Sequence, residues 1–211
     1  MRGGDLREPG LIYLASRSPR RRELLTQMGV RFEPLLFREG NRQDPDTDEA
    51  VRAAELPEDY VRRVTLMKAQ AAWQRVLMRR GLQRKPVLAA DTTVAIGAEI
   101  LGKPADRADA ERMLKLLSGS QHRVLTAVAL QLESRVELVV NESRVTFCIL
   151  DEARIAAYAA SGEPFDKAGA YGIQGRAGAF VERLEGSYSG VMGLPLYETA
   201  QLLRLFGLTV P

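Results

Sequence analysis

One cysteine, one histidine and one tryptophan occur in 211 residues. A lone Cys148 can form no internal disulfide and no cysteine-rich zinc site. It falls in an apolar, strand-like run, residues 144–150, and reads as core. A lone His122 means that a Ser-His-Asp triad or a multi-histidine metal site would have to use that residue. Carboxylates around a hard cation are therefore the more natural chemistry. No apolar run approaches membrane-spanning length, and residues 1–10 lack the hydrophobic core of a signal peptide. The expectation is a cytoplasmic enzyme or binding protein that makes no use of a membrane. There is also no long block of one charge. The 30 basic and 27 acidic side chains are interspersed, for a net charge of +3 and a pI near 9.2. That balance favours an anionic small molecule over a stable nucleic-acid complex. No internal repeat or linker divides the chain, so residues 1–211 are expected to form a single domain, either one sizeable core or two lobes sharing a sheet.

What is present concentrates in three stretches. The first, residues 11–30, is LIYLASRSPRRRELLTQMGV. A short apolar strand over 11–15 breaks at turn residues 16–19, and a helix follows. Ser18 is suited to its N-cap, Pro19 to its first position and Gly29 to a left-handed C-cap, with Leu24, Leu25 and Met28 as the apolar face. Arg20, Arg21 and Arg22 do not fit this pattern, because cations in a first helical turn oppose the helix dipole. They read either as a solvated basic turn or as a phosphate cradle, in which guanidinium groups add to the free N–H groups of the helix start.

A second strand is expected over 31–37, then a polar, acidic segment over 38–55 holding Asp44, Asp46, Asp48 and Glu49. These acids belong to a surface loop, or one or two of them reach a metal. Residues 56–81 read as a helix starting at Pro57 and stopping at Gly81. Val61, Val64, Ala71 and Ala72 form its apolar face, and Lys68 lies in the middle of that stripe. Its ammonium either snorkels out or meets a phosphate in a cleft.

The second stretch, residues 86–104, is PVLAADTTVAIGAEILGKP. Asp91 interrupts a buried-type strand, and a buried acid is costly unless paired or metal-bound, so it is the leading candidate for a catalytic carboxylate. Thr92 and Thr93 are polar neighbours, and Lys103 stands on a rigid bend. A helix over 106–117, paired antiparallel strands over 124–132 and 135–140, a further strand over 144–150 and a helix over 151–161 read as scaffold.

The third stretch, residues 166–178, is DKAGAYGIQGRAG. Its glycines would let the backbone approach a ligand closely, or serve only a tight turn. It is neither a dinucleotide fingerprint nor a P-loop. A strand over 180–184, a Gly/Ser-rich loop over 186–193 and a closing helix over 194–206 complete the chain.

Taken together, LASRSPRRRELL at 14–25, AADTTV at 89–94, LGKP at 101–104, LSG at 117–119, DKAGAYGIQG at 166–175 and VMGLP at 191–195 resemble the Maf family of nucleoside triphosphate pyrophosphatases. The resemblance implies a two-lobed α/β fold, with an extended mixed β-sheet flanked by helices and a cleft, related to the inosine triphosphate pyrophosphatases. It implies hydrolysis of a nucleoside triphosphate to the monophosphate and pyrophosphate, assisted by a divalent cation, Mg2+ or Mn2+. The DKAGAYGIQG segment is similar to that of the branch acting on dTTP and UTP. On that likeness Asp91 is the proton acceptor, Arg20, Thr92 and Gln174 govern substrate choice, and Ser16, Arg21, Lys68, Lys103 and Lys167 line the pocket. The chain departs from the family in its acidic loop, where the usual acidic pair aligns with Asp48-Glu49, making Glu49 the second metal ligand beside Asp91. Members are often homodimers, so a homodimer is among the expectations. The rival expectation is a regulator, such as a cell-division inhibitor or nucleic-acid binder, that uses the basic cleft without chemistry.

Overall fold

The computed structural model describes residues 11–35 and 48–210. Asp44 and Asp46 lie outside the described residues. The chain begins with a βαβ unit: β1 (Leu11–Leu14), α1 (Pro19–Gln27) and β2 (Arg31–Pro34). Ser18 caps α1 by accepting from the Arg21 N–H, Pro19 occupies the first turn, and Gly29 takes a left-handed φ of 68°. Then come α2 (Pro57–Met78), β3 (Val87–Ile96), β4 (Glu99–Leu101), α3 (Arg107–Leu117), β5 (Gln121–Leu132), β6 (Arg135–Phe147) and α4 (Glu152–Ala160). After a run of short 3-10 turns come β7 (Val181–Glu185), α5 (Tyr188–Met192) and α6 (Leu196–Leu205).

The strands form one mixed sheet in the order β2-β1-β3-β5-β6-β7, with β4 paired to β3. β1 runs parallel to β2 and β3, and the other pairings are antiparallel. The architecture is thus the expected α/β sheet flanked by helices. Among the described residues no helix is long and apolar enough to cross a membrane.

Three sequence expectations change. The strands expected at 135–140 and 144–150 are one long strand, β6, because β5 pairs with it from Leu132↔Arg135 to Gln121↔Thr146. The Gly/Ser-rich segment over 186–193 contains a helical turn, α5, capped by Ser187. Cys148 falls just beyond β6 and is half-buried against the core, not within a strand.

Strand alternation positions the site. Side chains of successive β residues point to opposite faces. On β3, Val87 and Ala89 pack with Ala69, Ala72, Trp73 and Val76 of α2. Leu88 and Ala90 pack instead with Leu24 and Leu25 of α1 and Leu202 and Leu203 of α6. Further along, Val94 joins a cluster with α3 and α4. By the same alternation Asp91 faces α2, whereas Thr92 faces the opposite layer. β1 pairs with β3 only at Val87 and Leu88, and β4 joins it only from Val94. Between those points, among the described residues, β3 has β5 on one side and no strand on the other. Groups from both layers can meet in that gap.

Candidate active site

Asp91 sits in the gap on an unbroken ladder, paired in register with Ala127. Its acidic side chain interrupts the apolar pattern of the strand, but the backbone continues and only the side chain is exceptional. The Lys68 ammonium donates to Asp91 Oδ1 at 2.7 Å and lies 3.0 Å from Glu49 Oε1. All three side chains are largely shielded from water. Burial alone would push the Lys68 pKa down, but the charges and hydrogen bonds of Asp91 and Glu49 outweigh it and hold the pKa above the usual lysine value. Lys68 does not snorkel out to solvent; it turns inward, and the partners it meets are two carboxylates. It lies seven residues after Val61 and four after Val64, both fully buried, so the helix directs it toward the sheet.

Two carboxylates within reach of one ammonium form a donor set suited to a hard cation that takes its remaining ligands from phosphate and water. No group of three or more His, Cys, Asp or Glu side chains able to hold a metal by themselves occurs among the described residues. Glu49 and Asp91 by themselves offer two of the oxygen donors that a hard cation such as Mg2+ or Mn2+ takes.

On the other face of β3, Thr92 belongs to a second network. Each nitrogen of the Arg21 guanidinium donates to the protein: Nε to the Gly193 carbonyl at 2.8 Å, Nη1 to Ser16 Oγ at 3.2 Å and Nη2 to Thr92 Oγ1 at 3.1 Å. Thr92 Oγ1 lies 3.0 Å from Thr126 Oγ1, which donates to the Gly190 carbonyl. Burial lowers the Arg21 pKa, against the opposing pull of Asp91. The arginine run thus splits in three directions, as residues about 100° apart on a helix must. Arg21 ties the loop after β1, β3 and the 190–193 turn together, Arg22 is exposed, and Arg20 reaches Asp166 at 3.8 Å. The charges of Asp91, Glu49 and Arg20 are all close enough to act on Arg21, so the two networks adjoin.

The late glycine-rich segment closes on itself more than the sequence suggests. Gly169, at φ 69°, packs so tightly on Val94 that an added Cβ would lie 2.8 Å from Val94 Cγ1. Gly172 leaves room for the Lys167 stem and Gly175 for the Glu163 carboxylate. What these glycines approach closely is the protein itself. Lys167 donates to the Glu163 carbonyl at 2.6 Å and pairs with Asp166, which Arg20 also approaches. The Gly169 N–H donates to the Gly102 carbonyl, which brings this segment beside the bend carrying Lys103. Lys103 and Gln174 are exposed. Neither makes a hydrogen bond or ion pair with the Asp91 group.

His122 is buried core, its Nε2 2.8 Å from Tyr171 Oη and its ring edge-on to Phe147 and Tyr171. Burial lowers its pKa to about 4. The sequence reading did not single out Tyr60 and Arg63, which bind the backbone around Glu49, or Thr126. An isolated polar residue on a helix or strand carries no signal of what it will meet.

Residues 11–206 match the family model described as Maf-like protein. Relatives named dTTP/UTP pyrophosphatase align over almost the whole chain. That of Cupriavidus pinatubonensis is 58% identical, covering 92% of this chain and 95% of its own. That of Albidiferax ferrireducens is also 58% identical, over 94% and 98%. That of Dechloromonas aromatica is 53% identical, over 93% and 97%. The solved Ham1 protein of Staphylococcus aureus overlays with a TM-score of 0.36 and 12% identity, over 65% of this chain and 71% of that one, too weak a likeness to weigh. With motifs, matched residues and near full-length relatives in agreement, the chain belongs to the Maf family.

Proposed function

We propose that this protein is a nucleoside triphosphate pyrophosphatase that hydrolyses dTTP and UTP to the monophosphate and pyrophosphate, keeping these nucleotides or modified forms of them out of nucleic acid. The observation that carries the reading is the meeting of Lys68, Asp91 and Glu49 in the gap beside β3, next to the Arg21–Thr92 network. Relatives 53–58% identical over more than nine-tenths of the chain, each named dTTP/UTP pyrophosphatase, support the nucleotide preference.

In the proposed reaction a water oxygen bonds to the α-phosphorus, the bond from that phosphorus to the β-bridging oxygen breaks, and pyrophosphate leaves with the electron pair. Asp91 orients the water and accepts its proton. Lys68 and Lys103 neutralise charge developing on the leaving group, the electrostatic contribution that usually dominates such transfers. Arg20 and Lys167 bring further positive charge from the helix start and the late segment. Arg21, fully engaged within the protein, holds Thr92 and Ser16 in place at the edge of the pocket. Glu49 and Asp91 would hold the divalent cation, which supplies Lewis-acid polarisation of phosphate oxygens and a more acidic bound water. Gln174 reads the pyrimidine through an amide that both donates and accepts.

The substrate in this reading is a free nucleotide, with no nucleic-acid or membrane partner. A panel of nucleoside triphosphates incubated with Mg2+ or Mn2+ tests it. Pyrophosphate from dTTP and UTP, above that from dATP, is expected. Orthophosphate as the released product, or no turnover, as a purely regulatory protein would give, overturns it.

A further inference from the structure

Glu49 lies in the segment leading into α2, eight residues before the helix begins, and its main chain is held from that helix. Three successive backbone carbonyls are bound by side chains from one turn of that helix. Arg63 Nη1 donates to the Asp48 carbonyl at 2.9 Å, Tyr60 Oη to the Glu49 carbonyl at 3.0 Å, and Arg63 Nη2 to the Ala50 carbonyl at 2.9 Å. Arg63 also forms a two-pronged pair with Glu55, Nε to Oε1 at 2.6 Å and Nη2 to Oε2 at 2.8 Å. The Arg63 guanidinium stands 5.5 Å from the Tyr60 ring centroid. Residues three apart on a helix are surface neighbours, and Lys68 follows on the same helix eight residues after Tyr60. One rigid element therefore carries both the cation that Glu49 faces and the groups that fix the Glu49 main chain.

Fixing these carbonyls has a directional consequence. A planar guanidinium bound on several edges leaves little rotational freedom, so the backbone at 48–50 is set in both position and orientation relative to α2. With the Cα of Glu49 fixed, its carboxylate is left with few rotamers, and the one adopted points to Lys68 and Asp91. Glu55 keeps the clamp charged, since its hydrogen bonds to Arg63 hold its carboxyl pKa down at about 2.

We propose that Tyr60 and Arg63 are positioning residues, which pin the carbonyls of Asp48, Glu49 and Ala50 to α2 and so present the Glu49 carboxylate beside Asp91. The inference rests on the reading that Glu49 and Asp91 share a divalent cation, and it adds the part of the chain that makes the pair a pair.

The test is a double-mutant cycle between Arg63 and Glu49, read by titrating Mn2+ alone into the full chain and following free Mn2+ by electron paramagnetic resonance. Groups that orient a metal ligand typically contribute about 10- to 100-fold to affinity. Arg63→Met should therefore weaken Mn2+ binding roughly tenfold, and Tyr60→Phe, which removes one neutral hydrogen bond, about fivefold. In a Glu49→Gln background the same Arg63→Met change should cost less than about twofold, because a residue acting through Glu49 has nothing left to position. Arg63→Lys keeps the charge opposite Glu55 and serves if Arg63→Met does not fold. It should fall between wild type and Arg63→Met.

Equal losses in both backgrounds would mean a general structural role and overturn the proposal. So would unchanged Mn2+ affinity in an Arg63 variant whose 48–50 amides exchange hydrogen faster than in wild type, or a wild-type chain that takes up no Mn2+. Failure of the pyrophosphatase reading looks different: no pyrophosphate from any nucleotide, with the Arg63–Glu49 coupling in Mn2+ binding intact.

Discussion

Lowering the pH from 7 to 4.5 should destabilise this protein mainly through one side chain. His122 is 1% exposed, its Nδ1 has no hydrogen-bond partner among the described residues, and burial brings its pKa from 6.5 to about 4. Its folded pKa lies below the unfolded one, so the unfolded chain binds the proton more readily. The stability that comes from keeping the ring neutral is fully present above pH 6.5 and is lost as the pH falls toward 4. Integrating that difference from pH 7 to 4.5 gives a loss on the order of 2 kcal/mol. Glu55, held at about 2 against 4.5 unfolded, keeps most of its stabilisation down to pH 4.5 and loses it mainly below, so it adds little within this window. Urea unfolding at half-unit pH steps measures the loss. Because His122 is the only histidine in the chain, its ring resonances can be followed by NMR without assignment. A His122→Phe variant should show a nearly flat profile between pH 6.5 and 4.5. A ring that titrates near 6.5 in the folded protein, or a wild-type profile as flat as that of the variant, would refute the reasoning. The effect bears on the site because Tyr171, the partner of His122, belongs to the segment carrying Lys167 and Gln174.

Three further predictions follow from the site and its surroundings. Asp91→Asn should fold and lose roughly 10²- to 10⁴-fold in turnover, measured as pyrophosphate release; near-wild-type turnover removes Asp91 as proton acceptor. Gln174→Ala should narrow the preference for dTTP over dATP in kcat/KM while leaving the thermal midpoint unchanged, since the side chain is exposed. An unaltered ranking would dismiss it as a reader of the base. Gly169→Ala combines a left-handed φ of 69° with a clash against Val94, and overpacking alone typically costs about 1–3 kcal/mol, which denaturant unfolding would detect.

Much of the scaffold was legible because its signals are local. Ser18, Pro19 and Gly29 bound α1, and Asp106 and Asp151 cap α3 and α4, each by accepting from a backbone N–H three residues on. Caps and turn residues act within a few positions along the chain, so a sequence displays them directly. The length of β6 does not show in the sequence, because Asn141, Glu142 and Ser143 look like loop residues until β5 is laid beside them. Long-range pairing, not propensity, decides such cases.

Composition and motif spacing alone determined which chemistry was available: one histidine, no cysteine pair, a carboxylate inside an apolar strand and a lysine inside an apolar helix stripe. Which of these groups meet was decided only by the tertiary structure. Asp91 and Thr92 are adjacent in sequence yet serve opposite faces of the sheet. Glu49, Lys68 and Asp91 lie far apart in the chain yet converge where β1 has ended and β4 has not begun. The physical reason is that burying a charge is costly wherever it stands, but the partner that offsets the cost is chosen by how helices and strands pack.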